Sequence, residues 1–160
     1  MVITTQLTQQ DYIRISFLMQ FRKFTVLFFM AAIVVWFFVY LFMNLQSSDG
    51  KLFNLIPISI GLLVIPMMTW VTAKRNYKGI SRIGETIEYQ VKKDGITMQG
   101  ESFTTDYKWS DLYKVNTSRN FICIWQTPRV ANFIPKRSVS ESQLAELKRI
   151  LDKNLVANKL

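Results

Sequence analysis

The 160-residue sequence has no histidine and one cysteine, Cys123. Without histidine, Ser-His-Asp and Cys-His nucleophilic sets and the common His-containing zinc sites are excluded. One cysteine allows no disulfide within the chain. Carboxylates remain, and Glu85, Glu88, Asp106 and Asp111 lie nearest the expected strands. No spacing brings two of them together with a base or a ligand set. No catalytic residue, cofactor or metal is expected. The third scarcity is positional, because charge is missing from Phe24 to Leu45, 22 residues, and again from Leu52 to Thr72, 21 residues.

An apolar helix of that length, at about 1.5 Å per residue, crosses a hydrocarbon core roughly 30 Å thick. The remaining chain is too short to wrap two such helices on all sides, so they read as membrane spans rather than core helices. The first run is followed by Asn44-Leu-Gln-Ser-Ser-Asp49-Gly, with no small-residue cleavage site, so a cleaved signal peptide is not expected. Gln46 to Lys51 can only turn the chain, which makes the spans an antiparallel hairpin. Pro57 and Pro66 each remove a helical hydrogen bond in the second span. Ser59 and Gly61 permit close backbone approach there, whether within the hairpin or in a homo-oligomer.

Lys and Arg set the orientation. Arg14, Arg22 and Lys23 flank the first span, and Lys74, Arg75, Lys78 and Arg82 follow the second, while the loop offers Lys51 beside Asp49. Both termini are therefore expected in the cytoplasm, with Arg22, Lys23, Lys74, Arg75, Lys78 and Arg82 at the membrane surface. The formal net charge of +9 follows from the same bias, and nucleic acid is not the expected partner.

Outside the hairpin the pattern is mostly β. Val2 to Leu7 reads as a strand, and Thr8-Gln-Gln-Asp11 as a capping box opening a helix near Gln9 that runs on toward the first span. Lys74 to Ile83 reads as a basic helical connector ended by Gly84. Strands are expected over Thr86–Lys92, Ile96–Gln99, Ser102–Trp109, Tyr113–Ser118, Phe121–Gln126 and Val130–Ile134, with Lys93-Asp94-Gly95 as a hairpin turn. Ser140-Glu-Ser-Gln143 caps a last helix with a stripe of Leu144, Leu147, Ile150, Leu151 and Leu155. The organisation is thus 1–23, strand and amphipathic helix; 24–72, transmembrane hairpin (24–45 and 52–72); 73–83, basic connector; and 84–160, a cytoplasmic β domain with a C-terminal helix. The fold class is membrane α+β. Seven strands and a closing helix fit a pleckstrin-homology-like barrel or sheet, completed by the N-terminal strand across the hairpin.

Candidate ligand or headgroup residues are Trp109, where a strand breaks, and Lys136 and Arg137, before the helix N-terminus at Ser140. For Trp109 the alternative is a core anchor, and for the two cations a solvated turn. Cys123, between Ile122 and Ile124, reads as a small hydrophobe.

Leu7-Thr8 with Asp11-Tyr12, the two spans, Tyr89 with Asp94-Gly95-Ile96, Lys108-Trp109-Ser110-Asp111-Leu112, Phe121 and Ile134-Pro135-Lys136-Arg137 together resemble the YcxB-like family of bacterial membrane proteins. The resemblance implies two spans and a small cytoplasmic β domain in the bacterial inner membrane, and it brings no catalytic residues. The leading expectation is a non-enzymatic inner-membrane protein whose β domain binds a protein, peptide or lipid headgroup at the bilayer surface. Two alternatives are an immunity protein against a membrane-active toxin and a membrane effector whose β domain senses a small ligand.

Overall fold

A computed structural model describes residues 1–44 and 55–160. The expected turn at Gln46–Lys51 lies outside the described residues, as do the side chains of Pro57, Ser59 and Gly61. The elements are β1 (Val2–Gln6), α1 (Gln9–Phe21), α2 (Phe24–Asn44), α3 (Leu55–Gly79), β2 (Thr86–Val91), β3 (Gly95–Gln99), β4 (Thr104–Lys108), β5 (Lys114–Thr117), β6 (Phe121–Trp125), β7 (Ala131–Pro135), α4 (Glu141–Lys153) and β8 (Asn158–Lys159). Short 3-10 turns occupy Ser81–Gly84, Trp109–Asp111 and Lys136–Ser138. Two compact units result: Met1–Asp11 with Ile80–Leu160, and Tyr12–Gly79.

The first unit is α+β, with two four-stranded sheets ordered β1-β2-β3-β4 and β7-β6-β5-β8. The N-terminal strand pairs antiparallel with β2, from Val2↔Gln90 to Gln6↔Thr86. β1 alternates Ile3 and Thr5 inward against exposed neighbours, and β2 buries Tyr89 and Val91. This period of two fixes which face meets the core. β8, which the sequence pattern did not announce, adds a two-residue parallel pairing to β5.

β6 is buried along its whole length. Ile122 and Ile124 face the main core with Ile3, Ile96, Val115 and Ile134. Its other face carries Phe121, Cys123 and Trp125. The Phe121 and Trp125 rings meet Phe133 edge-on at 6.3 and 6.2 Å, and Trp125 Nε1 donates to Asn116 Oδ1 at 2.6 Å. The buried Cys123 sits there as a small apolar group.

α4 covers the core through Leu147 and Leu151, with Leu144 and Ile150 partly buried. Each such leucine contributes about 1.5–3 kcal/mol of apolar burial. Its N-terminus is a capping box, with Gln143 N donating to Ser140 Oγ at 3.2 Å and Ser140 N to Gln143 Oε1 at 2.9 Å. Leu155, expected on the buried stripe, is instead 93 % exposed with φ 55°. The helix stops at Lys153, and the chain turns through Leu155 so that Val156 N donates to Leu151 O at 3.0 Å and Leu155 N to Asp152 O at 3.2 Å. Those two bonds are a Schellman motif, whose left-handed position here holds leucine rather than glycine.

The free edge of β1 is covered by side chains from beyond β7. Gln143 Nε2 donates to Val2 O at 3.0 Å, Arg137 Nη2 to Gln6 O at 3.3 Å, and the Thr5 and Ser138 hydroxyls share a bond of 2.9 Å. An edge with carbonyls occupied at both ends, Val2 and Gln6, is a poorer template for another strand.

The second unit holds most of α1 together with α2 and α3. α1 does not run into α2: the helix breaks at Arg22 and Lys23, where Lys23 N bonds Gln20 O at 3.2 Å and a new helix starts at Phe24. α3 continues past the apolar run through Lys74, Arg75 and Lys78 to Gly79, so the expected connector is divided between α3 and the 3-10 turn at Ser81–Gly84. α2 packs on α3, and its half-buried residues Val26, Met30, Ile33, Phe37 and Tyr40 recur at helical spacing. Phe28, Phe29, Trp36, Phe38 and Phe42 of α2 are exposed. Phe24–Met43 is the one helix among the described residues long and apolar enough to cross a membrane, by length and composition.

Candidate functional site

The β2–β3 turn is braced from two sides. Lys92 N donates to Gly95 O at 2.9 Å, closing the hairpin. Trp109, which opens the 3-10 turn after β4, reaches back to it. Its backbone N donates to Asp94 O at 3.3 Å, and its Nε1 to Lys93 O at 3.0 Å and Lys92 O at 3.3 Å. Gly95 permits the close approach of β4, since a Cβ there would lie 2.1 Å from Tyr107 O. Three carbonyls of a surface turn are therefore held by a core indole residue, and the side chains of Lys92 and Lys93 project from a fixed base.

Facing this turn is α4. Glu146, Arg149, Ile150 and Lys153 stand three and four residues apart, which places them on one helical face beside the buried leucine stripe. Between turn and helix lies a hollow of about 710 Å³, with Met1, Val91 and Ile150 as apolar lining. Lys92, Lys93, Arg149 and Lys153 outnumber the two acids, Asp94 and Glu146, along the same walls. None of the four cations has an ion-pair partner among the described residues. A smaller hollow of about 260 Å³ lies on the other side of the turn, lined by Lys92, Asp94, Asp106 and Lys108 among others. There Thr97 Oγ1 donates to Asp106 Oδ1.

The three candidate ligand residues each have a definite place. Trp109 is 4 % exposed and belongs to the main core, so the core-anchor alternative describes it and no ring face is open for stacking. Arg137 forms a two-pronged ion pair with Asp11, Nη1 to Oδ1 at 2.8 Å and Nη2 to Oδ2 at 2.5 Å. Asp11 also caps α1, accepting from Thr8 N at 2.9 Å and Thr8 Oγ1 at 2.7 Å. The Arg137 bonds, with the Thr8 bonds, hold its carboxyl at about 2, down from 3.8, against the desolvation that pushes it up. Arg137 is correspondingly pushed upward by the same contact. It is thus committed to a carboxylate of its own chain rather than free for a phosphate. Lys136 is half-buried at the start of the turn, its backbone N donating to Asn120 O at 2.9 Å.

Of the expected membrane-surface cations, Arg22 and Lys23 are exposed at the α1–α2 break. Lys74 lies over the Trp70 ring at 5.0 Å, with Arg75 and Lys78 exposed beyond it on α3. Arg82 belongs to the β unit, where its Nε donates to Ser102 Oγ at 3.3 Å and its guanidinium sits 5.3 Å from the Phe103 ring. Among the described residues no group of His, Cys, Asp and Glu is arranged to hold a metal.

The groove cations escaped the sequence reading because they come from two segments more than fifty positions apart. The available signal was the Lys92-Lys93 pair at a turn and Arg149 four residues before Lys153. Residues 91–151 match the family described as YcxB-like protein, the family the sequence resembles. The matched segment runs from the end of β2 into α4 and carries most of both walls of the groove. No curated protein sequence and no solved structure matches the chain.

Proposed function

We propose that the protein is a two-span protein of the bacterial inner membrane whose cytoplasmic β unit is a non-enzymatic binding module at the bilayer surface, taking a protein, peptide or lipid headgroup. The observation that carries this reading is the β1–β2 ladder. Gln6 and Thr86 are paired neighbours, so the segment between them leaves and returns at one point. A chain tied in this way crosses a membrane an even number of times or not at all. α2 is apolar, unburied and long enough for one crossing, and an unburied face of this size and apolarity is not typical of soluble monomers. α3, packed on α2, supplies the return.

The Lys and Arg residues flanking α2 and α3 favour both ends in the cytoplasm. In the β unit, strand order β1-β2-β3-β4 and β7-β6-β5 with α4 supports a pleckstrin-homology-like plan, β8 being an addition. The groove supports binding, and it also favours a second reading in which the β unit senses a small ligand and the hairpin responds.

Single-cysteine labelling tests the membrane reading. With Cys123→Ala as background, a cysteine replacing Ser47 is expected to react with an impermeant maleimide in intact spheroplasts, and one replacing Arg119 only after lysis. Labelling of the Arg119 position in intact cells, or release of the protein by alkaline carbonate, would overturn it.

A further inference from the structure

The groove between the β2–β3 turn and α4 is rimmed by four cations that have no ion-pair partner among the described residues. We propose that it is a binding site for a small organic polyphosphate, with Lys92 and Lys93 from one wall and Arg149 and Lys153 from the other gripping the phosphates. The inference rests on the second reading, in which the β unit senses a small ligand, and supplies the class of that ligand.

Three observations argue for it. The hollow, about 710 Å³, has the size of a small-molecule site, typically about 300–1,000 Å³. Several cations around so small a space are matched by a ligand that concentrates negative charge. A phosphate group does this, carrying up to about two charges and three acceptor oxygens, and lysine ammonium binds it as a point charge. The lining is also mixed: Val91 and Ile150 offer an apolar floor, while Asp94 and Glu146 offer acceptors. A bare inorganic anion uses neither, whereas an organic body with hydroxyl or amino groups uses both. The brace from Trp109 keeps the Lys92–Lys93 wall in place before the ligand arrives, which lowers the ordering cost of binding.

Calorimetric titration tests the proposal, using the full chain in nanodiscs of neutral phosphatidylcholine with ATP as the probe. Saturable binding is expected, weakened about tenfold or more in Lys93→Ala/Arg149→Ala, in line with the loss of charge-assisted contacts. Arg119→Ala/Arg129→Ala, which removes the same charge from exposed positions outside the groove, is expected to bind like the parent. Nanodiscs containing phosphatidylglycerol separate the sources: competition with ATP in the parent chain, lost in Lys93→Ala/Arg149→Ala, assigns the site to lipid headgroups, and its absence to a soluble polyphosphate. Absence of saturable ATP binding, or equal weakening in both double variants, overturns the proposal. Binding of a poly-glutamate peptide without ATP overturns it too, leaving the binding-module reading intact with a protein partner.

Discussion

Asp11 and Arg137, 126 positions apart, form a two-pronged ion pair in which the aspartate side chain is 3 % exposed and the arginine side chain 52 % exposed. One oxygen of Asp11 also receives both Thr8 donors, so a single carboxylate starts a helix and ties that start to the turn before α4. Its burial makes the pair asymmetric: removing the arginine strands a buried charge, whereas removing the aspartate leaves a guanidinium that water can solvate.

Arg137→Ala is therefore expected to destabilise the full chain by about 2–3 kcal/mol, below the cost for a fully buried pair because half the arginine is already wet. Arg137→Lys should recover little, since an ammonium cannot span both oxygens. Thermal unfolding in one detergent checks both. Parent-like stability of Arg137→Ala would mean that the ion pair does not stabilise the fold.

The same pair carries a pH signature. Asp11 has a folded pKa of about 2 against 3.8, so its contribution is present above about 3.8 and is lost as pH falls toward 2. The stability gap between the parent chain and Asp11→Asn should be constant from neutral pH to about 5 and close across that acid window. A gap that stays open at the acid end would contradict it.

Trp109→Phe keeps a ring in the core but deletes the Nε1 donor, leaving the Lys92 and Lys93 carbonyls without that bond. A cost of about 1–2 kcal/mol is expected. Amide exchange across the Lys92–Gly95 turn should accelerate more than exchange in β6. Uniform acceleration would mean that the indole fills space and does not brace the turn.

Local chemistry was legible in the residues. Both capping boxes, at Thr8 and Ser140, lie within four-residue windows, and each hydroxyl finds its backbone partner. The strands at β1 and β2 were legible because their alternation repeats every two residues. What needed the fold was any partner chosen from a distance. Arg137 reads as a free cation until Asp11 is placed against it, and the groove exists only when a turn and a helix are brought together. β8 has two residues, too few to show a period. Leu155 continues a helical apolar spacing, but the helix stops before it, and spacing alone carries no information about where backbone bonding changes.

Leu155 occupies the left-handed position of the Schellman motif with φ 55° and an exposed side chain. For an L-residue that conformation costs roughly 1 kcal/mol, a cost glycine does not bear. Leu155→Gly should raise stability by about 0.5–1 kcal/mol and reduce surface apolarity. A lower melting temperature would show that the leucine has a role outside the folded monomer.

Deleting residues 1–8 removes β1 and the Thr8 cap. The β2 amides paired to it and the core contact of Ile3 go with them. Hydrogen exchange at Tyr89 and Val91, whose amides face β1, should rise strongly, with loss of cooperative unfolding in the β unit. Unchanged protection there would mean that the strand is an ornament on a complete sheet.

The ladder between β1 and β2 has a consequence in time. Gln6 leaves the ribosome 80 positions before its partner Thr86. At about 5–20 residues per second, the first strand waits several seconds for its neighbour. During that wait the intervening apolar helices emerge and must find their own environment, and only afterwards can the sheet close. A finished β unit thus requires that both helices have already been made. A chain whose first apolar helix went astray would present an unpaired strand and an open core to the proteases that survey new proteins.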